Sequence, residues 1–468
     1  MSNWYPDDND NAIIEEYEQE LNINTNKQSF SDVVLPETIT NKLYMYQYHH
    51  TYNIITSLRK NNTALDASVP GTGKTYVALA VCKALNLRPF IICPYSIIYK
   101  WNEICSEYNI EPLKVTNYES VIKAKKNNDY LYFNEDSEKK PYTWKLPKNG
   151  ILIIDEAHKC KSIKTLIGRL MLCAKDDKCK ILLLSATICD KLRDFIPYGY
   201  VLGLYNKLRE GKGYVSHING LQKKEFSNAN VLHRQIFPKY GSMMTFDDMK
   251  NYSDFKENQI CVECYKLSST DREKINDAYE KIEKTKLAIE ELNEQRQMVE
   301  LFKVPIIIEN LLSYYSCNYY TAIFVNYINT HDKICKTLDK KKISYAKIIG
   351  GQSKDERQEN IDKFQNNEVN VIVCMIQSGG ESISLHDTEG DAPRRAIISP
   401  SWSSIELKQT LGRVYRSGSK SNCIQKIIYI ANTCEERIYE TIKNKIKLGD
   451  QITDGDLTAV ICKTKMMK

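Results

Sequence analysis

Two adjacent carboxylates, Asp155 and Glu156, follow four apolar residues, Ile151 to Ile154. A short, wholly apolar, β-branched run predicts a strand buried on both faces. In an open parallel sheet, ligands gather beyond the carboxyl ends of the strands, so both acids are delivered to where chemistry is done. One can hold a metal ion and the other can manage a water. What they act on is supplied by residues 67–75, ASVPGTGKT, which lie between the apolar run TALDA and a helical stretch. That is the context a phosphate-binding loop requires. Gly71 and Gly73, with Pro70 and Thr72 around them, let the backbone turn its N–H groups toward phosphate oxygens. Lys74 is placed to neutralise β- and γ-phosphates, the Thr75 hydroxyl to ligate Mg²⁺, and the helix N-terminus adds its positive dipole. The usual first glycine of such a loop is Ser68 here. With ATP as substrate, Asp155 holds Mg²⁺, directly or through water, and Glu156 orients and deprotonates the attacking water.

These residues need a frame, and the chain is long enough for two or three domains at 468 residues. Hydrophobic content of 42% supports real cores. Residues 1–20 hold seven acids and no lysine or arginine, so the rest carries 65 basic against 52 acidic residues. A basic body suits a polyanion. No apolar run approaches the ~20 residues that span a bilayer, and the acidic start is unlike a secretory signal. Fifteen scattered cysteines, many inside apolar runs, read as reduced, buried thiols of an intracellular protein, cytoplasmic or nuclear. Cys261 and Cys264 form a lone CxxC without the second pair that zinc requires.

Residues 1–35 are predicted to be an acidic, flexible tail. Strands are predicted at 63–68, 88–93, 113–118, 150–155 and 179–187, with helices at 74–86, 95–107 and 162–175 between them. This alternation argues for a parallel α/β sheet over 36–250. Thr270 to Glu273 fits a capping box. It opens a charged helix with seven-residue spacing of Ile275, Ile282 and Ile289, so 251–303 reads as a helical arm or linker. A second α/β alternation fills 304–450, with strands at 321–327, 343–349, 369–375, 394–400 and 424–431. Residues 451–468 read as a loosely held tail. The fold class is therefore α/β, two parallel-sheet lobes in tandem with a long helical segment between them.

The order Gln47, GTGKT, DEAH, SAT (185–187) and QTLGRVYR (409–416) resembles helicase superfamily 2, over residues 42 to 440. LYMYQ (43–47), FIICPYSIIYKWNEI (90–104), VTNYES (115–120), DEAHKCKS (155–162), IIGGQSKDERQENIDKF (348–364) and PSWSSIELKQTLGRVYRSG (400–418) are similar to its Swi/Snf-type branch. The ISLHD…PRRAIISP segment is similar to helicase-like proteins of large DNA viruses, which adds the virion to the expected locations. Serines 382 and 384 stand where that branch has glycine and asparagine.

The resemblance implies two RecA-like lobes that close on ATP. It puts Gln47 against the adenine and Gln409 at the lobe interface. It sends Arg413 and Arg416, three apart in a helix beginning near Ser403, toward the γ-phosphate, with Arg416 as the arginine finger. Ser185 and Thr187 couple nucleotide state to lobe contact. Nucleic acid crosses both lobes through phosphate contacts, with Ser96, Lys100, Tyr118 and Ser378 as candidates and Gly379 and Gly380 allowing close approach. The expected activity is ATP-driven translocation on DNA, in preference to RNA, and on duplex. The alternatives are a strand-separating RNA or DNA helicase, which the SAT segment favours, and an inactive nucleic-acid-binding scaffold, which the intact Lys74, acids and arginines disfavour. The acidic tail or the helical arm is the expected place for a protein partner.

Overall fold

The computed structural model describes residues 35–123, 129–135, 140–186, 191–224, 231–245, 256–266, 288–379, 383–401, 403–416, 418–436 and 461–466, with a few single positions between them. Two all-parallel sheets form the architecture. The first contains β1 (Thr63–Asp66), β2 (Arg88–Cys93), β3 (Lys114–Asn117), β6 (Gly150–Asp155), β7 (Lys180–Leu184) and β8 (Gly241–Ser242), in the order β3-β2-β6-β7-β1-β8. A small antiparallel hairpin, β4 (Leu131–Phe133) with β5 (Tyr142–Trp144), stands beside it. The second sheet contains β9 (Asn258–Lys266), β10 (Tyr320–Val325), β11 (Ala346–Ile348), β12 (Val371–Met375), β13 (Arg394–Ile398), β14 (Cys423–Ile430) and β15 (Ile461–Met466), in the order β11-β12-β10-β13-β14-β9-β15.

Both sheets are covered on two faces, and single strands feed two cores. In β6, Leu152 and Ile154 belong to one hydrophobic cluster, while Ile151 and Ile153 belong to the cluster on the other face. In β12, Ile372 and Cys374 face one way and Val371, Val373 and Met375 the other. A two-residue side-chain period with apolar residues at every position gives this arrangement. Each fully buried aliphatic chain contributes ~1.5–3 kcal/mol of transfer free energy, so the acid-bearing strand is held rigidly from both sides.

Three predicted segments differ from expectation. Residues 258–266, assigned to the arm, form β9, which pairs with β14 over eight residues from Asn258 to Tyr265. A buried Glu263 interrupts the apolar pattern and hid the strand. Its carboxylate lies 3.3 Å from Lys426 Nζ, which compensates the burial. The tail is docked at Ile461–Met466 as β15 beside β9. Most of the heptad-like stretch lies outside the described residues. Its described end, Ala288–Phe302, packs on the second lobe: Val299 is buried, and Glu300 accepts from the Asn326 and Tyr327 N–H groups at 2.9 and 3.0 Å. Lys303, fully buried, meets Glu435 at 2.5 Å and Ser399 Oγ at 2.6 Å. That end is part of a lobe rather than a free arm.

Candidate ATP site between two lobes

The phosphate loop connects β1 to helix α1 (Lys74–Ala84), whose N-cap is Gly73. Gly71 and Gly73 both have φ of +85°, the left-handed region where a side chain is strained. Space also requires them. A Cβ at Gly73 would collide with Gln47 Nε2, and one at Gly71 would come within 2.9 Å of Arg416 Cγ. Lys74 Nζ donates to the carbonyls of Ser68 (2.8 Å) and Val69 (3.3 Å), so the ammonium lies back along the loop. Thr72 is buried, with its hydroxyl donating to Val69 O. Thr75 is half-buried in the first turn of the helix, and Pro70 is half-buried on the loop. Gln47 is almost fully buried. Its Oε1 accepts from Tyr44 N–H at 2.9 Å and its Nε2 donates to Thr72 O at 2.7 Å. It braces the loop directly.

The acidic pair sits at the carboxyl end of β6, two strands from β1. Glu156 adopts a left-handed φ of 56°, a strained state for a non-glycine residue that persists only where the surroundings hold it. His158 Nδ1 lies 3.2 Å from Glu156 Oε2 and 3.4 Å from Ser185 Oγ. Ser185 N–H in turn donates to Asp66 O on β1. Asp155 Oδ1 accepts from Glu156 N–H, and Oδ2 accepts from Trp101 Nε1–H at 3.0 Å. Burial and the neighbouring Glu156 charge push the Asp155 carboxyl up, against the Trp101 hydrogen bond and Lys74. Burial also acts to raise Glu156, but its His158 hydrogen bond and the charges of His158, Lys74 and Arg413 outweigh it and hold the carboxyl down. The buried Asp155 carboxyl, raised beside the Glu156 charge, favours one further cation.

The second lobe reaches this site through helix α2 (Ser404–Val414), capped by Ser403 Oγ accepting from Glu406 N–H. Arg413 is in its last turn. Arg416, expected in the same helix, lies beyond its end, after the extended Tyr415. Three residues of separation still bring the guanidinium groups together. Ile383 O accepts from Arg413 Nη1 (3.4 Å) and Arg416 Nη2 (2.8 Å), and Arg416 Nε donates to Gly412 O. Burial and Arg413 lower the Arg416 pKa, while Glu156 opposes the shift. The lobes are nearly in contact here, since a Cβ on Gly412 would lie 2.6 Å from Pro70 Cβ. Gln409 lines an interlobe cavity of about 290 Å³ with His158, Lys161, Gln377, Ser403 and Glu406.

The nucleic-acid candidates fare differently. Tyr118 is a correction: it is 1% exposed, and its hydroxyl donates to Asp155 O at 2.5 Å. An aromatic in an apolar neighbourhood went to the core, where it supports the acidic strand. The Ser96 hydroxyl is also closed off from solvent. Lys100 is partly exposed and paired with Glu103 at 3.0 Å. Ser378 and Gly379 end a short helix after β12. Thr187 and Gly380 lie outside the described residues. Trp101, which the sequence offered only inside a motif, hydrogen-bonds the candidate site carboxylate Asp155. Its signal was its lone indole donor, which seeks an acceptor when buried.

Residues 303–418 match the helicase conserved C-terminal domain, and residues 40–190 match the res subunit of type III restriction enzymes. The putative ATP-dependent RNA helicase L364 of Acanthamoeba polyphaga mimivirus is 33% identical, over 92% of this chain and 87% of its own length. The chain belongs to the superfamily 2 helicases. It is an ATP-hydrolysing helicase or translocase of nucleic acid. The DNA repair and recombination protein RAD54 of Saccharomyces cerevisiae is 30% identical over 29% of this helicase, a stretch that is 15% of RAD54. The fold is that of S. cerevisiae Dbp5 bound to RNA and ADP BeF3, with a TM-score of 0.50 at 13% identity, covering 92% of this chain and 94% of that one. Among the described residues, no helix is long and apolar enough to cross a membrane.

Proposed function

We propose that this helicase hydrolyses Mg²⁺–ATP between its lobes and uses the closure to translocate on duplex DNA. The observation that carries the ATP reading is the approach of Arg416 to Gly71 of the phosphate loop, with Arg413 beside it on the shared Ile383 carbonyl. Thr75 and Asp155 would hold Mg²⁺, and the site fits it because Asp155 is a buried carboxylate raised by burial and by the Glu156 charge, both of which a hard, oxygen-seeking cation relieves. When bound, the ion screens the phosphate charge and orients the terminal phosphate. Lys74 would leave the loop carbonyls for phosphate oxygens. Glu156, ionised and steered by His158, would accept a proton from water. Arg416 would stabilise charge developing in the transition state, with Arg413 beside it. Gln47 and Gln409 would sense an occupied loop from opposite lobes. The His158–Ser185 contact would pass nucleotide state toward the lobe interface.

The DNA reading rests on the likeness to RAD54, and the name of the mimivirus relative favours a second reading, unwinding of RNA. Lys100, with Ser378 to Gly380, supplies the remaining candidate contacts, mostly to phosphates, so binding should weaken with salt. ATP hydrolysis measured without nucleic acid, then with duplex DNA, single-stranded DNA and structured RNA, separates the readings. Stimulation by duplex, lost in Glu156→Gln, supports translocation on DNA. Stimulation chiefly by RNA supports the second reading. Hydrolysis insensitive to Glu156→Gln overturns both.

A further inference from the structure

Behind the phosphate loop lies a set of buried polar groups that the mechanism above does not use. His50, Asp66 and Ser68 are 2%, 1% and 0% exposed. His50 sits one turn after Gln47 on the helix Met45–Asn61. Asp66 ends β1. Ser68 occupies the position where such loops usually carry glycine. His50 Nε2 is 3.2 Å from Ser68 Oγ and 3.1 Å from Asp66 Oδ2. The hydroxyl has the hydrogen-bonding geometry, while the carboxylate contact is electrostatic. Asp66 Oδ1 accepts from Ser68 N–H at 3.0 Å, and Ser68 Oγ accepts from Met244 N–H at 2.9 Å. Imidazole Nδ1 has no partner among the described residues, so the ring's polar contacts run through Nε2 alone.

We infer that His50, Asp66 and Ser68 form a buried clamp that positions the phosphate loop for nucleotide. It ties three sequence-distant segments together: the helix that carries Gln47, β1 with the loop that leaves it, and the chain leaving β8. Burying an imidazole, a carboxylate and a hydroxyl costs free energy unless each is paired, so the three favour one arrangement strongly. That arrangement includes the Ser68 carbonyl, which also receives Lys74. Glycine at position 68 would leave His50 without its hydroxyl partner and would free the first turn of the loop. The same helix places Gln47 against Thr72 O, so the clamp grips the start of the loop while Gln47 grips its middle. His50, Asp66 and Ser68 do not touch the reacting atoms. They are positioning residues, and their effect belongs on nucleotide affinity.

This inference rests on the loop being the nucleotide site. It is tested by titrating the full chain with a fluorescent ADP analogue and Mg²⁺, comparing unaltered protein with Ser68→Gly, His50→Ala and the double variant. Affinity for a fluorescent DNA duplex is measured alongside. Each single variant is expected to weaken nucleotide binding about 5- to 20-fold, the scale of a buried hydrogen bond. Duplex affinity should stay within twofold, roughly the scatter of such comparisons. The double variant should be no worse than the weaker single, because both break one clamp. Nucleotide binding unchanged in Ser68→Gly, or losses that multiply in the double, would overturn the clamp. Should His50→Ala fail to fold, Ser68→Gly decides alone. Failure of the unaltered protein to bind the analogue would instead remove the nucleotide reading beneath it.

Discussion

Trp101 Nε1 donates a 3.0 Å hydrogen bond to Asp155 Oδ2. The indole is fully buried on the helix Ile98–Glu107, beyond β2, so a neighbouring strand's helix orients the carboxylate proposed for Mg²⁺. Trp101→Phe keeps a buried ring and removes the donor. Loss of a hydrogen bond to a charged group costs about 1.5–3 kcal/mol. The Mg²⁺ concentration for half-maximal ATP hydrolysis is expected to rise several-fold, with a lower Tm. An unchanged Mg²⁺ titration would show that the indole serves packing alone.

Gly412 marks the tightest approach of the lobes. Alanine there would improve helix propensity by ~1 kcal/mol, yet its Cβ would meet Pro70 Cβ at 2.6 Å. The two effects oppose each other in different measurements. Thermal stability of Gly412→Ala should hold or rise, while kcat should fall about tenfold or more because small misplacements of catalytic groups are expensive. Equal kcat in the variant would mean that the lobes need not approach this closely during turnover.

Arg416 shares the Ile383 carbonyl with Arg413 and lies against Gly71. Removal of an arginine finger costs on the order of 10³-fold in kcat. Arg416→Ala is expected to reach that loss with little change in nucleotide affinity. Lysine should rescue poorly, since an ammonium cannot reproduce the planar fork. Rapid-quench single-turnover kinetics would check this. A loss confined to KM would assign Arg416 to binding.

His386 supplies a pH test of stability. Burial, then the charges of Arg416 and Arg394, lower its pKa from 6.5 to about 4. In the folded chain the ring stays neutral, whereas the unfolded chain binds a proton below pH 6.5. The stability it contributes is therefore present above pH 6.5 and lost as pH falls from there through 4, on the order of 3 kcal/mol in all. Urea midpoints between pH 7 and 4 should fall less steeply in His386→Asn. Parallel curves would place the acid sensitivity elsewhere.

Much was legible from sequence because local chemistry carried it. Apolar β-branched runs announced the ten strands expected in the two main sheets. The phosphate loop is contiguous, with its glycines required by backbone conformation and its lysine beside them. The acidic pair follows a strand buried on both faces, and that alone delivered it to the sheet's carboxyl edge. Strand β9 escaped because a buried Glu263 breaks its pattern, and only Lys426, more than 160 residues away, makes the burial tolerable. Tyr118 and Trp101 both read as aromatic residues near a motif. Which would face a ligand and which would hold Asp155 depended on neighbours from other strands. Arg416's approach to Gly71 and His50's contact with Ser68 depended on distances between separate elements. Sequence determined which groups were available, their local conformation and the strands that carry them. Tertiary packing decided the long-range meetings of buried polar groups, such as Trp101 with Asp155 and Glu263 with Lys426, because those partners lie far apart along the chain.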